Sequence, residues 1–421
     1  MRVRNALYVQ GGGPTAVVNT TAAAVIEACR SHRDQIRNLY AARFGMPGVL
    51  NEELVDTSAE PEEVLNALKN TPGSAFGSAR YRLPSRDEAP GVHDRFASVL
   101  AAHDIGYLFY NGGNGSAATT LQLAALSQDL GLDVTCIHIP KTIDNDLMGT
   151  DCSPGFASAA KYLAVSMQEA ATDLASTHTT STRVFILESM GRHTGWLVAA
   201  MGLATEEGDR APSMLLLAEM PFEEERFLAR LEEIVARHGY CVVGASEGLR
   251  TQSGAFVESL PAARQGNNEQ LGGVASRLAK LVRETLGLKC HWATADYLQR
   301  SARHLASATD VAHADGVGKT AVQVALEGQT GVMPVIVRAS EDPYRWKIGV
   351  SELGDIACRE KTVPRNFVSD DGYSITTRCR NYLLPLIQGE AFPPFRCGLP
   401  VHVKMHGLLV PPKLPRWTIA S

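Results

Sequence analysis

Asn5-Ala6-Leu7-Tyr8-Val9-Gln10-Gly11-Gly12-Gly13-Pro14 reads as an apolar strand running into a glycine turn, with a helix following through Ala16 to Cys29. The same grammar recurs down the chain. Ile105 to Tyr110 is a second apolar strand; it ends in Asn111-Gly112-Gly113-Asn114-Gly115-Ser116 and leads to a helix carried by Ala117, Leu121, Leu123, Ala124 and Leu130. Val134 to Ile139 is a third strand, followed by a polar loop and a helix from about Phe156 to Leu174. Val184 to Glu188 and Tyr240 to Ala245 are further strands. Between them, apolar residues at 222, 227, 228, 231, 234 and 235 have helical spacing. This alternation predicts an α/β protein of two Rossmann-like lobes with mostly parallel sheets, its ligands at strand-to-helix loops and its active site in the cleft between lobes.

The expected division is about 1–150, 151–330 and a C-terminal extension over 331–421 that packs on the core, with the lobes free to exchange segments. After about residue 330 the alternation is interrupted by Pro364, Pro385, Pro393, Pro394, Pro400, Pro411 and Pro412. The 421 residues are 45% hydrophobic with a net charge of −5, which gives no general attraction for nucleic acid or acidic lipid. The 40 Lys and Arg residues still allow a local basic pocket. No apolar run reaches the roughly 18 residues that a membrane span needs. The first residues enter a strand without secretory character. Eight cysteines with no Cys-x-x-Cys pair suit reduced thiols, and the expectation is a cytoplasmic protein with no nucleic-acid or membrane partner.

Two glycine turns at strand ends suit a phosphate cleft, since glycine lets backbone N–H groups approach an anion and a helix N-terminus adds partial positive charge. Each alone is equally a tight turn without a ligand, and neither matches the P-loop or dinucleotide spacing. Pro140-Lys141-Thr142-Ile143-Asp144-Asn145-Asp146 carries more information, because it puts a cation, a hydroxyl and two carboxylates after one strand. Phosphoryl transfer needs a base, a divalent ion and positive charge on the phosphates. Asp144 suits the base, Asp146 a metal-side acid and Lys141 a phosphate clamp; the plain alternative is a polar turn with Asp146 as a helix cap. Arg192, in Met190-Gly191-Arg192-His193-Thr194-Gly195, suits an anionic ligand, as do Arg80 and Arg300. Glu247 ends another strand and suits sugar hydroxyls. The twelve histidines show no metal-ligand spacing, and no G-x-S-x-G elbow is present.

Taken in order, these segments resemble the phosphofructokinase family over most of the chain. Gly12-Gly13-Pro14-Thr15-Ala16-Val17-Val18-Asn19 is similar to the long pyrophosphate-dependent branch. Pro140 to Asp146 is the family's most specific motif, and its Lys141 is typical of pyrophosphate users. Met190-Gly191-Arg192, Glu247-Gly248, Tyr297-Leu298-Gln299-Arg300 and Pro385 to Glu390 also fit. The resemblance implies reversible phosphorylation of the 1-hydroxyl of fructose 6-phosphate in glycolysis or gluconeogenesis, with Asp144 as base and Lys141 and Arg192 assisting. It implies that Thr142, Arg183, Met190, Gly191, Arg192, Glu247, Tyr297 and Arg300 bind the sugar phosphate, and that Gly13, Arg80, Gly115 and Lys141 hold the donor. Mg²⁺ is implied on Asn114 and Asp146, and Arg183 is expected to serve a neighbouring subunit in a homodimer or homotetramer.

Three positions depart from the family pattern. Asn114 replaces a metal-binding Asp of ATP-dependent members, and His291 replaces an Arg of short members. Gly115 replaces the Asp with which pyrophosphate users crowd out ATP. Pyrophosphate is the expected donor and ATP the alternative. An inactive sugar-phosphate-sensing subunit is the remote one, opposed by the retained Asp144 and Arg192. The bare Gly-Gly-x-Gly-Ser pattern also occurs in NAD kinases and lipid kinases, which lack the Lys141 to Asp146 and Met190 to Arg192 segments.

Overall fold

A computed structural model describes residues 2–205, 213–258 and 271–417. The first apolar run forms β1 (Arg4–Gln10), buried beyond its first residue. It is followed by α1 (Val18–Ser31), β2 (Ile36–Ala42), α2 (Met46–Leu50), β3 (Leu54–Asp56), α3 (Glu62–Leu68) and α4 (Pro90–Ala102). Then come β4 (Ile105–Gly112), α5 (Asn114–Asp129) and β5 (Thr135–Pro140). A second unit opens with α6 (Phe156–Thr177), β6 (Val184–Ser189), α7 (Trp196–Met201) and β7 (Ser213–Leu216). It continues through α8 (Glu224–His238), β8 (Cys241–Ser246), α9 (Val274–Leu286), β9 (Cys290–Thr294) and α10 (Asp296–Ser301). The chain returns to the first unit with α11 (Ala308–Leu326), β10 (Val332–Glu341), β11 (Tyr344–Glu352) and α12 (Leu353–Ile356). It lends α13 (Thr377–Leu383) to the second, and the hairpin β12 (Phe395–Arg396) and β13 (Leu399–Pro400) lies in the first.

The first unit holds a seven-stranded sheet in the order β11-β10-β5-β4-β1-β2-β3. Its strands from β10 to β2 are parallel, with antiparallel pairs only at the two edges. Period-two alternation sends Ala6 and Tyr8 to one face, against Ala22, Val25 and Ile26 of α1 and Val317 and Ala321 of α11. Leu7 and Val9 face the other way, against Phe96, Val99 and Leu100 of α4 and Leu123 of α5. The second unit holds a fully parallel sheet, β7-β8-β6-β9. Phe227 and Leu231 of α8 and Val274, Leu278 and Val282 of α9 pack on it. Both sheets meet the expected α/β class.

The boundaries differ from the expected 150 and 330. The first unit takes the described residues up to 155, from 308 to 360 and from 390 on; the second takes those from 156 to 307 and from 361 to 389. Residues 308–330 rejoin the first unit because the apolar face of α11 closes the core over β1. Residues 331–421 are not one extension. β10 pairs with β5 inside the main sheet, and β11 folds back on β10 without an intervening helix, so the alternation read from sequence breaks here.

The end of the chain is fixed by a buried carboxylate in the first unit. Glu52, 1% exposed, receives Arg95 at 3.1 Å and His103 at 2.7 Å. It also accepts the backbone amides of Lys413 at 2.8 Å and Leu414 at 3.1 Å. Burial alone would raise the Glu52 pKa, but the Lys413 amide, the His103 ring and the Leu414 amide outweigh it and hold the carboxyl below its ordinary range. A lowered carboxylate pKa stabilises the fold above the unfolded-state value, and that contribution is lost as pH falls through the folded one. Removing one partner of a buried charged network leaves the others uncompensated, so Glu52→Ala should cost about 3–5 kcal/mol. Urea unfolding at neutral pH checks this, and a variant as stable as wild type would refute it.

Candidate active site

The loops after β1, β4 and β5 are neighbours because those strands lie side by side in the order β5-β4-β1. Gly11 N–H donates to Asn111 O at 2.9 Å, and Lys141 N–H to Gly112 O at 3.0 Å, so the three loops are stitched by their backbones. Lys141 is 4% exposed, and its ammonium donates to Gly11 O at 2.8 Å and Gly13 O at 2.6 Å. The expected phosphate clamp is thus also a brace inside the first glycine turn. Helix α5 begins without a side-chain cap, on Gly113, leaving its first amides to a ligand or solvent, whereas the uncapped start of α1 is partly closed by Val18 N–H to Thr15 O at 3.4 Å and Thr20 N–H to Val17 O at 3.0 Å. Arg80 is exposed and follows Ala79, whose carbonyl accepts Gly12 N–H at 3.0 Å.

The loop carrying Thr142, Asp144 and Asp146 is folded back on itself. Asn145 has φ of 52°, is fully buried, and accepts Ser153 N–H at 3.0 Å. Asp144 is half-buried, and its N–H donates to the Thr142 hydroxyl at 3.1 Å. Asp146 caps no helix, since α6 starts only at Phe156. Instead its Oδ2 accepts Asn114 Nδ2 at 2.8 Å. The remaining oxygens of both side chains, Asp146 Oδ1 and Asn114 Oδ1, are buried with no hydrogen-bond partner. Burial raises the Asp146 pKa against the opposing Asn114 amide, and the charge of Glu360 adds to the rise. Two orphaned hard oxygens fit an oxygen-seeking cation such as Mg²⁺. Among the described residues no three His, Cys, Asp or Glu side chains gather as a metal-binding group.

In the second unit, Met190, Gly191 and Arg192 follow β6 and Glu247 follows its neighbour β8. Gly191 has φ of 133°; its N–H donates to Glu247 Oε1 at 3.3 Å and its carbonyl accepts Ser246 Oγ at 2.8 Å. A cavity of about 240 Å³ opens here, lined in part by Glu188, Met190, Glu247, Trp292 and Asp296. Burial raises the Glu247 pKa, against the Gly191 amide; Glu188 raises it further and Arg192 lowers it. On α10 the Arg300 guanidinium stacks 3.7 Å from the centre of the Tyr297 ring, and Tyr297 is 62% exposed.

Arg183 is the one expected sugar-phosphate residue of the second unit that the fold places away from the others. It precedes β6, whereas Met190 follows it, and six residues of strand separate them by about 20 Å. Its Nε donates to Gly239 O at 2.9 Å. His291 lies near it, paired with Phe185 across β6 and β9.

Sequence reasoning passed over two carboxylates that shape this half-site. Glu188 accepts the amides of Gly273 at 3.1 Å and Ala275 at 2.8 Å, and so caps α9. Glu219 accepts Gly195 N–H at 2.9 Å and Val363 N–H at 2.8 Å, which holds the loop bearing Arg192. A carboxylate closing the apolar run Val184 to Glu188 was a usable signal; Glu219 gave none.

A family model described as Phosphofructokinase matches residues 5–325. Pyrophosphate--fructose 6-phosphate 1-phosphotransferase of Methylococcus capsulatus is 50% identical over 414 residues, 98% of this chain and 99% of that one. The protein of the same name from Halomonas elongata is 50% identical over the full length of both. The crystal structure of a pyrophosphate-dependent phosphofructokinase from Nitrosospira multiformis superposes with a TM-score of 0.92 at 47% identity, covering 99% of this chain and 100% of that one. No helix among the described residues is long and apolar enough to cross a membrane.

Gly115 and Gly155 differ in what they tolerate. Gly115 lies in the first turn of α5 without a left-handed backbone, and an added Cβ meets nothing within 4 Å. Gly155 has φ of 109°, and a Cβ there meets Thr15 Cγ2 at 2.5 Å. Gly115→Ala should therefore leave stability unchanged or raise it by about 0.5–1 kcal/mol, whereas Gly155→Ala should cost roughly 1–3 kcal/mol. Equal urea midpoints for the two variants would contradict this reading of the loops.

Proposed function

The chain belongs to the phosphofructokinase family, and we propose that it carries out one phosphoryl-transfer reaction. It transfers a phosphoryl group from pyrophosphate to the 1-hydroxyl of fructose 6-phosphate, giving fructose 1,6-bisphosphate and phosphate. The carrying observation is the end-to-end likeness to relatives named for that activity. The local chemistry agrees with it. Asp144 is the carboxylate placed to accept the hydroxyl proton. Arg80, the Gly13 amide and the uncapped start of α5 supply positive character for the donor, with Lys141 neutralising the turn from within. Thr142, Met190, Gly191, Arg192, Glu247, Tyr297 and Arg300 bind the sugar phosphate.

Asp146 and Asn114 would hold Mg²⁺, which when bound neutralises charge on the donor phosphates. The transfer breaks the phosphoanhydride bond of pyrophosphate and forms a phosphate ester on the sugar, with phosphate as the leaving group; the reverse reaction breaks that ester and rebuilds pyrophosphate, and running in both directions suits glycolysis and gluconeogenesis. The alternative donor, ATP, rests on Gly115, whose open surroundings carry no repelling group.

Base catalysis contributes roughly 10²–10⁴-fold. Asp144→Asn should therefore lose kcat on that scale while the KM for fructose 6-phosphate changes little. The assay is run with pyrophosphate and with ATP. Near-wild-type kcat in folded Asp144→Asn removes Asp144 from this role, and turnover of wild type with ATP alone removes the donor assignment.

The placement of Arg183 supports an oligomer in which it serves the partner's sugar phosphate. Trp292 and Leu298, exposed by 45% and 60% on the edge strand β9 and on α10, offer apolar surface to such an assembly. Arg183→Ala and Asp144→Asn chains, each inactive alone, should then recover activity when co-assembled. No recovery in mixed oligomers verified by mass would mean that each site is built from one chain.

A further inference from the structure

The first glycine turn contains five peptide oxygens and nitrogens whose partners are all on the protein side, among them Gly11 N–H, which donates to Asn111 O at 2.9 Å. Gly11 O and Gly13 O accept the Lys141 ammonium at 2.8 and 2.6 Å, and Gly12 O accepts the Ser78 hydroxyl at 2.6 Å. Gly12 N–H donates to Ala79 O at 3.0 Å. Pro14 has no N–H. That leaves the Gly13 N–H, which has no hydrogen-bond partner among the described residues. A trans peptide is planar, with its N–H pointing opposite to its C=O. Whatever holds Gly12 O therefore also aims Gly13 N–H, and the group that holds Gly12 O is Ser78.

We infer that Ser78 is a positioning residue for the phosphoryl donor. Its hydroxyl pins the Gly12–Gly13 peptide with the carbonyl turned into the protein and the amide turned outward. Gly12, at φ of 76°, has a conformation that side chains other than glycine's rarely adopt, so this peptide has a low steric barrier to turning over. Turned over, it would present a carbonyl oxygen to an anion in place of an N–H. Ser78 is itself well founded. Its loop bonds to Asn19 of α1 through Thr71 O at 2.7 Å and Ala75 N–H at 3.0 Å. Phe76 O accepts Phe44 N–H at 2.8 Å, and Ala79 lies in a parallel bridge with Gly11. The hydroxyl is thus delivered from a fixed segment rather than from a free loop.

This inference rests on the reading of Gly11 to Gly13 as the donor turn, and the test separates the two. Steady-state kinetics with pyrophosphate, fructose 6-phosphate and Mg²⁺ are measured for wild type, Ser78→Ala, Ser78→Thr and Arg80→Ala, with pyrophosphate binding measured by calorimetry. One neutral hydrogen bond is worth close to a factor of ten. Ser78→Ala should raise the pyrophosphate KM and Kd about tenfold, with the fructose 6-phosphate KM unchanged, and Ser78→Thr should restore both. If Arg80→Ala weakens pyrophosphate and Ser78→Ala does not, the positioning role is overturned and the donor turn stands. If neither variant changes pyrophosphate binding, the donor turn itself is misassigned. Equal losses toward both substrates, or no rescue by Thr, would mark Ser78 as structural only and overturn the inference. Ser78→Gly, which cannot clash, replaces Ser78→Ala if the latter fails to fold.

Discussion

A lysine ammonium taken out of water is stable only where oxygens replace its lost hydration. In this protein that need is met by the carbonyls of Gly11 and Gly13, on a loop 128 and 130 residues away in sequence. The contact exists only if β5 and β1 flank β4 in parallel, so the donor loops and the sheet order depend on the same interaction. It also bears on why Gly12 is a glycine. A Cβ on Gly12 would lie 3.3 Å from the Lys141 Nζ, tight against an atom that is already fixed. A positive charge buried beneath a backbone turn makes the turn as a whole more attractive to an anion, although the ammonium itself is occupied.

The second unit solves the opposite problem with the opposite charge. Glu188, Glu219 and Glu247 are each largely withdrawn from water, and each accepts backbone amides, with the charge of Arg192 also favouring the Glu247 carboxylate. Amides donate without adding a mobile charge, so the carboxylates fix loops while leaving Arg192 to interact electrostatically with its surroundings. Glu219 is the clearest case. Its bond to Gly195 and its contact distance leave no room for a side chain there, since a Cβ on Gly195 would meet Glu219 Oε2 at 2.5 Å. The motif residue is therefore a glycine because a carboxylate stands against it.

Much of this was legible in the sequence because strand ends and ligand loops coincide. β1, β4, β5, β6 and β8 all appear as apolar runs closed by glycine or polar residues, and the loops after them carry the chemistry. The return of the chain was not legible. α11 is a good apolar helix, but nothing in its own residues says that its face closes over β1 rather than over the sheet that precedes it. β10 and β11 were hidden because an antiparallel pair joined by a tight turn lacks the helix that marks a crossover. At the site, sequence reasoning named residues by motif and charge, and it passed over residues that act on backbone groups. Ser78 and Glu219 have no motif of their own; their importance lies in which peptide they hold. Arg183 was expected to serve a neighbouring subunit, and the length of β6 sets it at the opposite end of the strand from its own chain's Met190.

The same geometry bears on how one donor is preferred to another. Rejection of a larger donor by a fixed carboxylate requires a side chain at 115, and Gly115 has none. Preference then has to come from attraction, which is a difference in affinity rather than a barrier. Elements of the first unit that favour an anion gather at the two glycine turns: Arg80, the buried Lys141, the outward amide of Gly13 and the uncapped N-terminus of α5. Such a field acts strongly only over a short range, because solvent screens exposed charge beyond roughly 10 Å. Pyrophosphate places all of its charge within that range. A nucleotide places its terminal phosphates there and carries the rest of its mass beyond it, where this field adds little. Discrimination by attraction is graded, so in this chain the strength of donor preference depends on how firmly the turn is held in its anion-facing state.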